Sequence, residues 1–329
     1  MIDTILATLT PMATLFLCIA IGFALGKTKL LPESSGAVIA KLSTWVIFPA
    51  LSFYTMANFF TIESLAEHGT NMIFACVACG LSMAMAIVLS SYFAKKKSYE
   101  IGVYQYALTF GNSGYMGDPI VLALFGVEAL AYYKMFCLPL TIVIYTWGTS
   151  RLVPKGKNKS SLIKSIFNPP TIGLLVGVAF GLLGITQYVP AFVMGAVSSI
   201  KDCMGPMAML LAGITISRFN FLGMLKNKKV YWATLLRLIV LPSILIGAIF
   251  GLKELVNLVF SLSIGNNVLY YLIFAFATPL GMNTIVFPEA YGGDAETGAS
   301  MVMISHTLCV LTIPVVCAVV SMLFGAFVI

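Results

Sequence analysis

The polar side chains of this chain are few, and they concentrate where an apolar helix is expected. The first group is "GNSGYMGDPIVLALFG", residues Gly111–Gly126. Asn112 and Ser113 bring a neutral amide and a hydroxyl, and Gly111 and Gly114 let the backbone leave helical geometry. Such a group can hydrogen-bond a carboxylate, and a helix restarting just beyond it adds free N–H groups and the positive end of a dipole. The plainer role for Asn112 is to satisfy the loose backbone of the break. The second group, "TPLGMNTIVFPEAYGG", holds Thr278, Pro279, Gly281 and Asn283. Pro279 has no N–H and frees a carbonyl about one turn earlier. Thr278 and Asn283 are set either to touch a ligand or to hold this second break together.

Charged residues within apolar stretches form a further set. Asp118 lies six residues past Asn112, about 9 Å along a helix. A carboxylate inside a membrane is a proton or cation candidate, but Asp before Pro is also a helix N-cap with Pro at the first position, and capping is the expectation. Lys201 and Asp202 stand side by side in "IKDCMGPMAMLL". Neighbours at i,i+1 do not face each other on a helix, so each is expected to find another partner, Lys201 by snorkelling. They remain coupling candidates with Asp118. Arg237, about 11 Å into its helix, is expected to have a structural partner or to snorkel rather than to touch substrate. Glu289 is read as interfacial and His306 as a packing residue that could titrate. Cys76 and Cys79 make a CxxC, read as small hydrophobes because no His or second Cys pair completes a site. No metal or cofactor is expected.

Composition says what must position these residues. The 329 residues are 60% hydrophobic and 9% charged, with mean hydropathy +0.99, whereas soluble domains carry about 25% charged residues. A span needs about 20 apolar residues, and ten are expected, at roughly 4–26, 37–57, 70–94, 101–126, 130–152, 169–187, 190–217, 230–251, 267–291 and 298–327. Met1–Gly26 lacks a basic leader region and reads as the first span rather than a cleaved signal. In lipid an unwound backbone survives only where protein covers it or water lines it. The breaks in the fourth and ninth spans are therefore functional features, expected to cross near the bilayer midplane.

The net charge of +7 would suggest nucleic acid in a soluble protein; its distribution excludes that partner. Fourteen cations fall on alternate loops, among them Lys27, Lys96, Arg151, Lys157 and Arg218, against Lys253 alone on the opposite loops. The cation-rich side is cytoplasmic by the positive-inside rule, so both termini face outward from a plasma membrane. The loop Tyr291–Gly298 carries no cation. Residues 1–153 form a first set of five helices, 154–168 a basic cytoplasmic loop and 169–329 a second set. An odd number per set turns the second upside down. Lys41 with Pro49 and Lys201 with Pro206 mark corresponding helices, and interrupted helices at matching positions of inverted repeats point to a transporter site between them.

"FPALSFYTMAN", "FGNSGYMGDPIVLALFG" and "TPLGMNTIVFPEAYGGD", in that order along most of the chain, resemble the auxin efflux carrier family of bacterial and plant permeases. The resemblance implies an all-α, ten-helix fold related to bile-acid symporters and sodium/proton antiporters. In that fold a scaffold panel (spans 1, 2, 6, 7) faces a moving panel (3–5, 8–10). It also implies an elevator-type carrier for small organic anions, malate, malonate or an auxin-like acid, with Asn112 as the crossover asparagine. A coupling proton or sodium ion and a homodimer through the scaffold panel are further implications. The short central loop departs from many plant carriers. The rival reading is a cation/proton antiporter of the same architecture, which would want paired carboxylates where this chain offers Asp118. No HExxH, GxSxG or paired catalytic aspartate motif occurs, so no enzyme is expected.

Overall fold

The computed structural model describes residues 2–95, 98–154, 169–220, 223, 225–261, 264–291 and 293–325, and among these every regular element is a helix. The basic stretch around Lys157, with Lys96 and Lys97, lies outside the described residues. Helix α1 is Ile2–Lys27, α2 is Ser35–Phe59 and α3 is Ile62–Phe93. Next come α4, Tyr99–Thr109, and α5, Asp118–Val143, which a wide π turn Ser113–Gly117 precedes. Beyond the central loop follow α6 (Pro169–Leu183), α7 (Ala191–Arg218) and α8 (Lys228–Phe260). The chain ends with α9 (Asn267–Phe276), α10 (Asn283–Tyr291) and α11 (Glu296–Phe324).

Among the described residues six stretches are long and apolar enough to cross a bilayer: Ser35–Phe59, His68–Phe93, Ala129–Leu152, Ala191–Arg218, Lys228–Phe260 and Glu296–Phe324. The apolar helices Ala13–Lys27, Pro169–Leu183 and Asn267–Phe276 are shorter. The long helices have bare outward faces: Leu258 of α8 is 80% and Leu311 of α11 70% exposed. Such faces belong against lipid, and the molecule is a multi-pass membrane protein. Between helices already in lipid the hydrophobic effect offers no drive, and association relies on close van der Waals packing of small residues. Helix α6 follows that rule. Gly173, Gly177 and Gly181 lie four apart, and a Cβ on each would sit 2.4, 2.6 and 2.4 Å from backbone oxygens of Pro49, Phe53 and Phe60. The two backbones touch.

Wide π turns interrupt α2 at Ser43–Ile47, open α5 at Ser113–Gly117 and interrupt α8 at Leu236–Val240. Each of these three is followed two residues later by a proline, Pro49, Pro119 and Pro242, whereas a fourth π turn beyond α5, Ile144–Gly148, is not. The reason is local. Proline has no N–H for the carbonyl four residues back, and its ring crowds that carbonyl. Widening the turn by one residue relieves the clash and re-aims the side chains inside it. Within α5, Gly126 takes φ 85°, a left-handed value open to glycine, where the sequence suggests a turn between two spans.

The breaks themselves are irregular. Helix α4 ends at Thr109 and α9 at Phe276, and helix resumes at Ser113 and Asn283. Gly111 and Leu280 form an isolated antiparallel bridge. The two breaks therefore touch. Every residue of α9 from Val268 to Phe276 is buried, so this half-helix lies inside protein, as a helix apolar all round should.

Contacts also sort the helix ends. Arg218 donates to Glu33 O at 2.8 Å and pairs with Glu289 at 2.9 Å; Tyr99 donates to Leu152 O at 2.5 Å and Lys229 to Phe93 O at 2.7 Å. These join the cation-bearing ends on one face. On the other, Thr186 donates to Ala57 O at 2.7 Å and Tyr270 to Gly325 O at 2.6 Å.

Candidate functional site

An interrupted helix leaves carbonyls without donor partners at the end of its first half and N–H groups without acceptors at the start of its second. Buried, each must be answered. Asn112 N–H donates to Pro279 O at 2.8 Å, tying one break to the other. Leu280 N–H donates to the Ser305 hydroxyl at 3.2 Å. Tyr133 OH reaches Ser113 O at 3.2 Å and Phe274 O at 3.0 Å, one hydroxyl serving both halves. Ser82 donates to Thr109 O at 3.0 Å. Arg237 Nη1 donates to Leu108 O and Thr109 O, both at 3.1 Å. The C-terminal ends of α4 and α9 are thus capped by side chains, while the restarting N-termini face open space.

That space is a cavity of about 80 Å³, enough for several waters where one needs about 10–15 Å³. The crossing lines it with Gly111, Asn112, Ser113, Gly281, Met282 and Asn283; α5 adds Asp118, Lys134, Cys137 and Thr141; α2 adds Phe48, Ser52 and Thr55. Phe48 packs at 6.0 to 6.1 Å against the rings of Tyr115, Tyr145 and Phe287, closing one side. The cavity's charges are one ion pair, Lys134 donating to Asp118, with side chains 14% and 18% exposed.

The two asparagines are held alike. Asn112 Nδ2 lies 2.9 Å from His306 Nε2, and His306 Nδ1 lies 2.9 Å from Val302 O. A carbonyl only accepts, so the network assigns the proton to Nδ1; neutral Nε2 then accepts from the Asn112 amide. Asn283 Nδ2 donates to Tyr106 OH at 2.7 Å. Both side chains are buried, and the Oδ1 of each has no partner among the described residues. In lipid-buried protein such atoms are costly unless something enters to meet them.

Of the residues singled out in the sequence, Gly111, Asn112, Ser113, Gly281, Asn283 and Asp118 converge on this cavity. Thr278 and Pro279 stand behind it, in the crossing rather than on its surface. Two expectations need correction. Asp118 is not an N-cap: helix has already begun at Ser113, Asp118 has α-helical φ and ψ, and its carboxylate turns to Lys134. Lys201 and Asp202 do pair, at 2.5 Å. Asp202 is the last residue of its helical segment, before a turn at Cys203 with φ −69° and ψ −13°. Lys201 also lies 4.7 Å from the Tyr54 ring centroid, and neither residue lines the cavity. Glu289 is held by Arg218. His306 is a packing residue, as expected, and its packing partner is the crossover asparagine. Lys134, Tyr106 and Tyr133 escaped the sequence reading. Lys134 had a signal, as a lysine inside an apolar span.

A family model described as "Membrane transport protein" matches residues 7–159 and 155–317. A protein of Methanocaldococcus jannaschii named an uncharacterized transporter is 24% identical over 296 residues, 86% of this chain and 89% of that one. A second uncharacterized transporter, from Methanothermobacter thermautotrophicus, is 23% identical over 221 residues, 66% of this chain and 70% of its own.

Proposed function

The chain belongs to the membrane transport protein family, that of the auxin efflux carriers, and from that premise we propose that it is a secondary carrier for a small organic anion. In this reading ten spans form two inverted sets, residues 1–153 and 169–329. The panel carrying the crossing moves against a scaffold of α1, α2, α6 and α7 in an elevator cycle across the plasma membrane. The substrate is a carboxylate of the malate, malonate or auxin-like class.

The observation that carries the proposal is the polarity of the crossing. Its two N-terminal ends open on the cavity, and each helix end carries roughly half a charge. Together they offer about one positive unit to an anion, and the second Nδ2 hydrogen of Asn112 and of Asn283, beside the one each gives to His306 or Tyr106, is left to donate to it. Lys134 supplies a second unit only when Asp118 takes up a proton and releases it. Two carboxylates, as in malate or malonate, match that protonated state, and entry of the dianion is then coupled to a proton. Gly111, Ser113 and Gly281 let backbone approach the anion closely, and Thr278 and Pro279 keep the second break open.

Reconstitution tests this. Proteoliposomes should take up radiolabelled malate or malonate faster under an inward proton gradient, with indole-3-acetate as the monoanion comparison. Absence of carboxylate flux together with sodium-for-proton exchange would replace the proposal by the antiporter reading, whose support is the Asp118 carboxylate in the cavity.

A further inference from the structure

The positive pole of the crossing opens on the cavity; at the negative pole one charged side chain joins the Ser82 and Tyr133 hydroxyls. Arg237 lies in the π turn Leu236–Val240 of α8 and is fully buried. Besides its two bonds to the end of α4, its Nη2 reaches Ala275 O near the end of α9 at 3.4 Å, and the guanidinium lies 5.8 Å from the Phe276 ring centroid. None of the ion pairs found among the described residues includes it. Its counter-charge is therefore the two helix ends. Half-helices of 11 and 10 residues end there, each with about −0.5 of a charge; two such ends balance one guanidinium.

In carriers with broken helices, half-helix C-termini and unwound carbonyls are where a coupling sodium ion or proton binds. Here the carbonyls of Leu108, Thr109 and Ala275 are already engaged. We infer that Arg237 is the resident counter-cation of the crossing, tethered where a coupling sodium ion would otherwise sit, so that the anion site is assembled without sodium. This deepens the carrier reading and rests on it for what is coupled, but its test needs no substrate. Gly111 belongs to the same device. A Cβ there would fall 2.3 Å from Arg237 Nη2 and from Thr278 Oγ1, so the residue bridging the two breaks must be glycine for the guanidinium to reach both ends.

A residue that only filled space would tolerate a neutral side chain of similar length; a resident cation would leave an empty cation site behind. Purified wild-type protein should melt at the same temperature in sodium chloride and in N-methylglucamine chloride of equal ionic strength, and should bind no radiolabelled sodium saturably. R237K should keep that behaviour. R237M should lose stability and regain it, saturably, on adding sodium or guanidinium at concentrations too low to denature. Saturable sodium binding by the wild type overturns the inference, and that measurement stands even if R237M fails to fold. So does an R237M protein as stable as R237K and indifferent to both cations. Failure of the anion reading would appear separately, as absent carboxylate flux with these results unchanged.

Discussion

Asn112 and Asn283 come from opposite halves of the sequence and present the same amide to one cavity, each held by one partner, His306 and Tyr106. A hydrogen bond to a charged group contributes about 1.5–3 kcal/mol, roughly ten- to over a hundredfold in affinity. Asn112→Ala should weaken carboxylate binding by that factor while the protein still reaches the membrane folded, because the glycines that permit the break remain. Asn283→Ala should act in the same direction. If Asn112→Ala binds normally but melts earlier, the asparagine serves the break alone. Asp118 makes a different claim. Asp118→Asn fixes the protonated form and leaves Lys134 permanently free, so substrate exchange should persist while acceleration by a proton gradient disappears. Uptake measured with and without the gradient decides it, and unchanged gradient dependence would make the Lys134–Asp118 pair structural.

Elements were more legible than contacts. The two interruptions, at Gly111 and at Pro279, could be read from residue types, because glycine and proline act on their own backbone and the lipid exclusion rule makes a break conspicuous. The side chains that answer those breaks could not, since Arg237, Tyr133 and His306 reach the crossing from helices distant in sequence. The Lys134–Asp118 pair was hidden for the same reason, and a strong local pattern, Asp before Pro, pointed to capping instead. The proline-linked π turns lie between these cases: the prolines are visible, but which turn widens depends on what packs outside it. Gly111 tests the element-level account. Gly111→Ala forces a methyl against Arg237, Thr278 and, at 2.9 Å, Ala275 O, and overpacking of this kind costs about 1–3 kcal/mol. Its melting temperature should fall well below that of Gly247→Ala, where an added Cβ meets nothing within 4 Å. Equal melting of the two variants would mean that the crossing is loose enough to repack, and the case for a guanidinium wedged between both helix ends would weaken with it.

At the scale of the whole molecule, charge is arranged twice over. Inside, the crossing has one pole filled by the protein and one left for a ligand. Outside, the cation-bearing ends of α1, α3, α7 and α8 gather on one face through the Arg218, Lys229 and Tyr99 contacts. The opposite helix ends offer few cations, and Lys253 there is buried against Asn266 and Glu254. Translocation selects against moving lysine and arginine near span ends across the bilayer, so the cation-rich face should be cytoplasmic. Glu63, next to the Thr61 cap that starts α3, should lie outside. Single cysteines in a background lacking the seven native ones make this measurable. In intact cells a membrane-impermeant maleimide should label Glu63→Cys and spare Lys228→Cys, and opening the membrane should expose position 228. Labelling of Lys228→Cys in sealed cells would invert the molecule and reverse the direction in which the proton and the anion move. The crossing, whose two poles are set by backbone direction and by Arg237, would keep its polarity either way.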